Sequence, residues 1–172
     1  MPRTNAAALS LITIATVLLG QADAQPMTGK WGVWESFSGK GSNGTPMCGI
    51  STAPTADRTV ARSVAVKRFW RAKYLTIDIF KQSWDFQKGS TVDVSLSVDT
   101  GNVVVLHAYA NGPILDLRTT YIADFLSSLA EGKFLFIGFP NQHEDGWGVA
   151  LNGSRSAVLE MDKCMQAMES GG

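Results

Sequence analysis

Few side chains in this 172-residue chain stand where their types and spacing could do chemistry. The histidines are His107 and His143. His107 lies in an alternating run with Val105 and Tyr109 on the same side, which predicts a satisfied histidine within a sheet. His143 sits in Asn141-Gln142-His143-Glu144-Asp145-Gly146. Imidazole beside carboxylates suits a metal or proton transfer, but a solvated loop has the same composition, and that is the reading adopted. No serine stands in the G-x-S-x-G form of a nucleophile elbow. Gly39-Lys40-Gly41-Ser42-Asn43-Gly44 matches G-x-G-x-x-G, a pattern that binds dinucleotides only between a strand and a helix. Thr45-Pro46 and a short apolar run follow it, so Ser38–Pro46 is expected to be a mobile loop. Asp78, Asp93 and Asp99 fall on or beside the polar faces of strands, where charge protects a sheet. No catalytic residue, cofactor or metal ligand is assigned, and the chain is expected not to be an enzyme.

The cysteines are Cys48 and Cys164. Free thiols, a metal pair or a redox couple are alternatives to a bridge. A redox couple usually takes the form Cys-x-x-Cys, and zinc needs more ligands than these. A structural disulfide is therefore favoured. Fifteen basic residues balance fifteen acidic ones, which argues against a nucleic-acid partner, because phosphate binding needs clustered Lys and Arg. One basic cluster, Lys67-Arg68 to Arg71 and Lys73, is interrupted by Phe69-Trp70. It could form an aromatic-basic patch, but a solvated turn between strands is the simpler reading. Trp34, Trp70, Trp84 and Trp147, with His143, are the candidate binding surface. Tryptophans at strand ends form a rim in some proteins that grip sugars or peptides, and plug the open ends of a sandwich or barrel in others. Asn43-Gly44-Thr45 and Asn152-Gly153-Ser154 match the glycosylation pattern and are read as turn chemistry.

The elements that must position these residues are mostly strands. Leu75, Ile77 and Ile79 alternate with polar neighbours, as do Val92, Val94, Leu96 and Val98. Asp99–Asn102 and Asn111–Pro113 are turns, with Val103–Tyr109 returning beside the strand that ends at Val98. Thr28–Ser36, Met47–Thr52, Ile114–Leu117, Phe134–Phe139 and Trp147–Leu151 read as further strands, and Ala53–Asp57 as a loop. The period changes over Thr120–Glu131, where Tyr121, Ile122, Phe125, Leu126 and Leu129 share a helical face, and again over Ser154–Met168, which carries Cys164 toward the core. The expectation is a mainly β domain, a sandwich or partly open barrel of roughly seven to nine antiparallel strands. One helix is inserted late and one ends the chain. At the start, Arg3, the apolar run Ala6–Gly20 and Ala22-Asp23-Ala24 predict a cleaved signal peptide, residues 1–24, in preference to an uncleaved membrane anchor, for which the run is short. The mature chain would begin near Gln25 as a single periplasmic or secreted domain with no second apolar run long enough to span a membrane.

Three passages resemble the small exported bacterial proteins of the invasion-associated locus B type. They are Trp31-Gly32-Val33 with Met47-Cys48-Gly49-Ile50-Ser51; Leu75-Thr76-Ile77 through Gln82-Ser83-Trp84 and Lys88-Gly89 to Asp99; and Trp147 to Ser154, then Ala157 and Cys164. Trp34 and Glu35 stand where that family carries a cysteine close after the first tryptophan motif. The resemblance implies a secreted or periplasmic sandwich-like domain with a role in host-cell association and no established catalysis. The leading functional expectation is thus an exported, non-enzymatic protein that binds an envelope or host protein. The second is a secreted or periplasmic inhibitor or immunity protein, its plug formed by Ser38–Pro46 or His143–Asp145. The third is a small hydrolase, for which no nucleophile–base pair is visible.

Overall fold

A computed structural model describes residues 29–53 and 61–170. The expected signal segment, its boundary at Gln25 and most of the loop after Ala53 lie outside the described residues. Strands β1 (Lys30–Trp31), β2 (Trp34–Lys40), β3 (Pro46–Thr52), β4 (Arg62–Phe69), β5 (Leu75–Lys81), β6 (Thr91–Val98), β7 (Val104–Asn111) and β8 (Ile114–Thr119) precede helix α1 (Ile122–Glu131). Strands β9 (Phe134–Gly138) and β10 (Trp147–Ala150) and helix α2 (Ser154–Ser170) complete the order. This is the mainly antiparallel β domain with an inserted and a terminal helix that the alternation and period change predict.

All ten strands join one antiparallel sheet in the order β1-β2-β3-β4-β5-β8-β7-β6-β9-β10. Two segments read from sequence as irregular supply the extra pairing. Ser38–Pro46 is not a loop throughout: β2 and β3 stay paired to Lys40↔Pro46. A tight turn closes them, with the Gly41 N–H donating to the Thr45 carbonyl at 2.8 Å and the Thr45 N–H to Asn43 Oδ1 at 3.0 Å. The G-x-G-x-x-G match is thus hairpin chemistry. Lys67 and Arg68 lie in β4, whose Val64 and Val66 are fully buried. The basic residues hid its period of two. Thr28–Ser36 divides at Gly32, which turns the chain at φ 58°.

Strands β6, β7 and β8 follow as hairpins, and α1 carries the chain back so that β9 lies beside β6, a Greek key. The helix starts as the Thr119 hydroxyl accepts the Tyr121 N–H at 3.2 Å, and it buries Leu126 and Leu129. Tyr121 is exposed, because it precedes the first helical turn rather than joining the core face. Gly132 ends the helix where any side chain would collide with Val98. Asp99 does more than protect the sheet, since its carboxylate accepts the N–H groups of Lys133 (3.1 Å) and Phe134 (2.8 Å) and anchors the start of β9.

The sheet curls until its ends face each other without pairing. The fully buried Trp34 of β2 donates its indole N–H to the Ala150 carbonyl of β10 at 2.9 Å. Beside it, the Arg62 guanidinium lies over the Trp147 ring at 4.8 Å. Gly153 meets the Trp31 backbone so closely that no other residue fits. The inward parity of the strands (Ile50, Val64, Ile77, Val94, Leu117 and Ile137 among them) fills the curl. One mouth is covered by α2, whose Ala157, Met161, Cys164 and Met165 are buried against β1–β3. Cys164 stands at disulfide distance from Cys48 of β3, with Cα atoms 6.0 Å apart and a sequence separation of 116.

Two stability changes follow. Trp34→Phe removes the seam donor and should lower the unfolding free energy by about 2–4 kcal/mol, read from urea denaturation. Replacing both Cys48 and Cys164 by Ala releases a loop of over a hundred residues and should cost up to about 4–5 kcal/mol in the same experiment. The untreated wild-type protein should gain two hydrogens in mass on reduction.

Candidate functional site

The outward face of the sheet holds a cleft of about 700 Å³ over β3, β4, β5 and β8, within the size range of ligand pockets. Strand register builds its floor. Lys67, Thr76 and Arg118 are direct cross-strand neighbours, and Phe69 stands opposite Met47. Two turns form the walls. The end of β2 supplies Lys40, the β2–β3 turn supplies Asn43, and the β4–β5 turn supplies Trp70, Arg71 and Tyr74. These turns are tied together, since the Trp70 N–H donates to the Pro46 carbonyl at 2.9 Å.

Arg71 is held in the left-handed region at φ 62°, a conformation that costs a residue with a side chain about 1–2 kcal/mol. There its guanidinium stacks on Trp70 at 4.0 Å from the ring centre. Arg118 lies over Tyr74 at 5.0 Å, and its Nε is 3.6 Å from Asp116 Oδ1, a loose pair. Lys67 is paired with Asp78. Asp78 and Asp116 stand directly opposite each other on β5 and β8, an unfavourable pairing of like charges. Burial, and then the Asp78 charge, push the Asp116 carboxyl above the usual carboxylate range, against the pull of Arg118 and Lys67. The second oxygen of Asp78, Oδ1, is buried without a hydrogen-bond partner among the described residues.

Of the residues singled out in the sequence as a binding surface, only Trp70 lines this cleft. Trp34 is wholly buried at the seam and offers no surface. Trp84 is buried as well and plugs the mouth of the curl away from α2, its ring 5.2 Å from Phe86, 5.4 Å from Phe139 and 5.7 Å from Trp147. Its indole N–H donates to Glu144 at 3.0 Å, and Lys81 pairs with the same carboxylate at 2.5 Å. Burial would raise the Glu144 carboxyl, but these two partners outweigh it and hold the group low. Trp147 is half-buried in that plug, and His143 is exposed on the loop beyond it, remote from the cleft lining. His107 stands in β7 opposite Asp93 of β6, a satisfied sheet histidine as expected. It is exposed, and its Nδ1 lies 2.6 Å from Asp93, whose other oxygen accepts from Asn141 at 2.7 Å. The Asn141 and His107 contacts hold the Asp93 carboxyl below its ordinary range.

Lys67, Phe69, Trp70 and Arg71 of the basic cluster do gather at one site, rather than forming a merely solvated turn. Arg68 does not join them. Opposite Cys48, it has the inward parity and acts on Asp162 of α2. Tyr74, Asp116 and Arg118 escaped notice in the sequence, because their proximity comes from the β5–β8 pairing across an intervening hairpin.

No protein-family model matches the chain, and no curated protein matches it. Among solved structures, the fold is similar to the crystal structure of invasion associated protein B from Bartonella henselae, with a TM-score of 0.55 and 18% identity. The likeness covers 81% of this chain and 99% of that one. It is a likeness of fold, in line with the fold the sequence resemblance implied.

Asp116 has a sign that can be checked. A carboxyl raised in the folded state opposes folding while ionised, and that opposition fades as the pH falls through the folded-state value toward the lower unfolded one. Asp116→Asn should therefore raise the melting temperature at neutral pH, and the gain should shrink on acidification. A gain independent of pH would contradict the assignment.

Proposed function

We propose that the chain is an exported protein, matured by removal of residues 1–24, that works by binding another protein at the bacterial envelope or a host surface. The outer cleft is its contact surface, and no catalysis is involved. The observation that carries this reading is the convergence of cationic and aromatic side chains on one recess, Lys40, Lys67, Trp70, Arg71, Tyr74 and Arg118, from β2, β4, β8 and the β4–β5 turn. Arg and aromatic residues are the types that dominate binding energy at protein interfaces. The similar fold of a protein described as invasion associated is in keeping with a contact at a host surface. The packed tryptophans support the reading from another side. With Trp84 and Trp147 plugging the curl, the interior has no need of a ligand to fill it.

The test uses the full chain expressed in a Gram-negative host. Its exported form should begin at or near Gln25 by N-terminal sequencing. Immobilised on beads, it should retain a stoichiometric protein from envelope or host-membrane extract. Trp70→Ala and Arg71→Ala should each abolish that capture while leaving the melting temperature within a few degrees of wild type. Capture unaffected by either substitution would place the contact elsewhere, and a chain that keeps residues 1–24 inside the cell would overturn export.

A further inference from the structure

The charge of the cleft defines its occupant more closely. The chain as a whole is neutral, yet Lys40, Lys67, Arg71 and Arg118 line this one recess against the single carboxylate of Asp116. Lys67 is answered by Asp78 behind it. Arg71 has no carboxylate partner among the described residues, and Arg118 has only the loose contact with Asp116. Both guanidinium groups lie over aromatic rings, at 4.0 Å from Trp70 and 5.0 Å from Tyr74. A stacked guanidinium keeps its planar donor fork free at the edge and is already oriented, so little freedom is lost when a carboxylate takes two parallel hydrogen bonds from it. Phe69 and Met47 supply an apolar strip between the cations.

We propose that the cleft seats a short acidic segment of the partner protein, its carboxylates on Arg71 and Arg118 and its apolar side chains on Phe69 and Met47. This rests on the reading above that the partner is a protein held in the cleft. Asp116 then acts as the opposing charge. It faces Asp78 and Lys67 across β5 and β4, Arg118 along its own strand and Tyr109 from β7. An incoming carboxylate meets its repulsion until it takes up a proton or is replaced by an amide.

The test is fluorescence anisotropy with a pool of labelled hexapeptides carrying Asp or Glu at alternate positions and Leu, Phe or Tyr between. The comparison is the same pool with Asn and Gln in place of Asp and Glu. The acidic pool should bind at least about tenfold more tightly and lose affinity with added salt. Arg71→Glu and Arg118→Glu should each abolish the binding while the chain stays folded by circular dichroism. Asp116→Asn should tighten it, a gain that a merely structural role for Asp116 would not produce. Equal binding of the two pools would overturn the acidic segment and leave the protein-binding cleft standing. No binding of the acidic pool, or binding of polygalacturonate in its place, would overturn the proposal as well. Partner capture by the wild-type chain, lost in Trp70→Ala, judges the underlying reading separately.

Discussion

A ten-stranded sheet that curls without closing leaves two edges that must be fastened by something other than strand pairing. The Trp34 indole does this by donating its N–H across the seam to Ala150 while its ring fills the space behind the edge. A half-buried carbonyl on an edge strand would otherwise have only solvent as its partner. The bond brings β10 against β2, and β10 leads through a short turn into α2, so the same contact delivers the helix to the mouth that it covers. The link between Cys48 and Cys164 then fixes α2 to β3, and the close fit of Gly153 on Trp31 leaves the turn between them no room to shift. The other mouth is shut by rings, with Glu144 satisfying both the Trp84 indole and the Lys81 ammonium.

The outer cleft depends on that inner fastening. Strand β3 carries α2 on one face and the cleft on the other, and the alternation of a strand divides the two duties residue by residue. Cys48 and Arg68 face the helix, while their neighbours Met47, Lys67 and Phe69 face the cleft. Holding β3 through Cys48 thus also holds the two turns above it in register. The cleft contains two local conflicts, a left-handed Arg71 and the opposed pair Asp78 and Asp116. Departures of this kind from locally favourable structure gather at functional sites more often than in ordinary sheet surface.

The fold was legible wherever the period of the sequence was clean. Strands β5 and β6, the hairpin to β7, α1 and α2 stand close to where alternation and helical spacing put them. Strand β4 was obscured because Arg68, a cation, takes an inward position in it, where charge breaks the apolar alternation. The glycine-rich segment looked mobile because composition says nothing of the pairing that carries β2 to Lys40. The tryptophans misled for a related reason. A large aromatic at a strand end looks the same in sequence whether it rims a site or plugs a core, and only the curl decides that Trp34 and Trp84 are interior. The cleft was half visible, as a run of Lys, Phe, Trp and Arg. Its far wall, Asp116 and Arg118, belongs to a strand that reaches β5 only after two others have been made.

That strand order has a temporal consequence. Few of the contacts that complete this domain are local. β5 waits for β8, β6 for β9, Trp34 for Ala150 and Cys48 for Cys164. Topologies of this kind fold slowly, because chain entropy is lost over long loops before any distant contact rewards it. A ribosome releasing this chain from its N-terminus cannot supply the seam acceptor or the covering helix until strands β1 to β9 have been made. For a protein sent out of the cell, as proposed here, the wiring acts as a delay, keeping the polypeptide threadable for as long as it still has a membrane to cross.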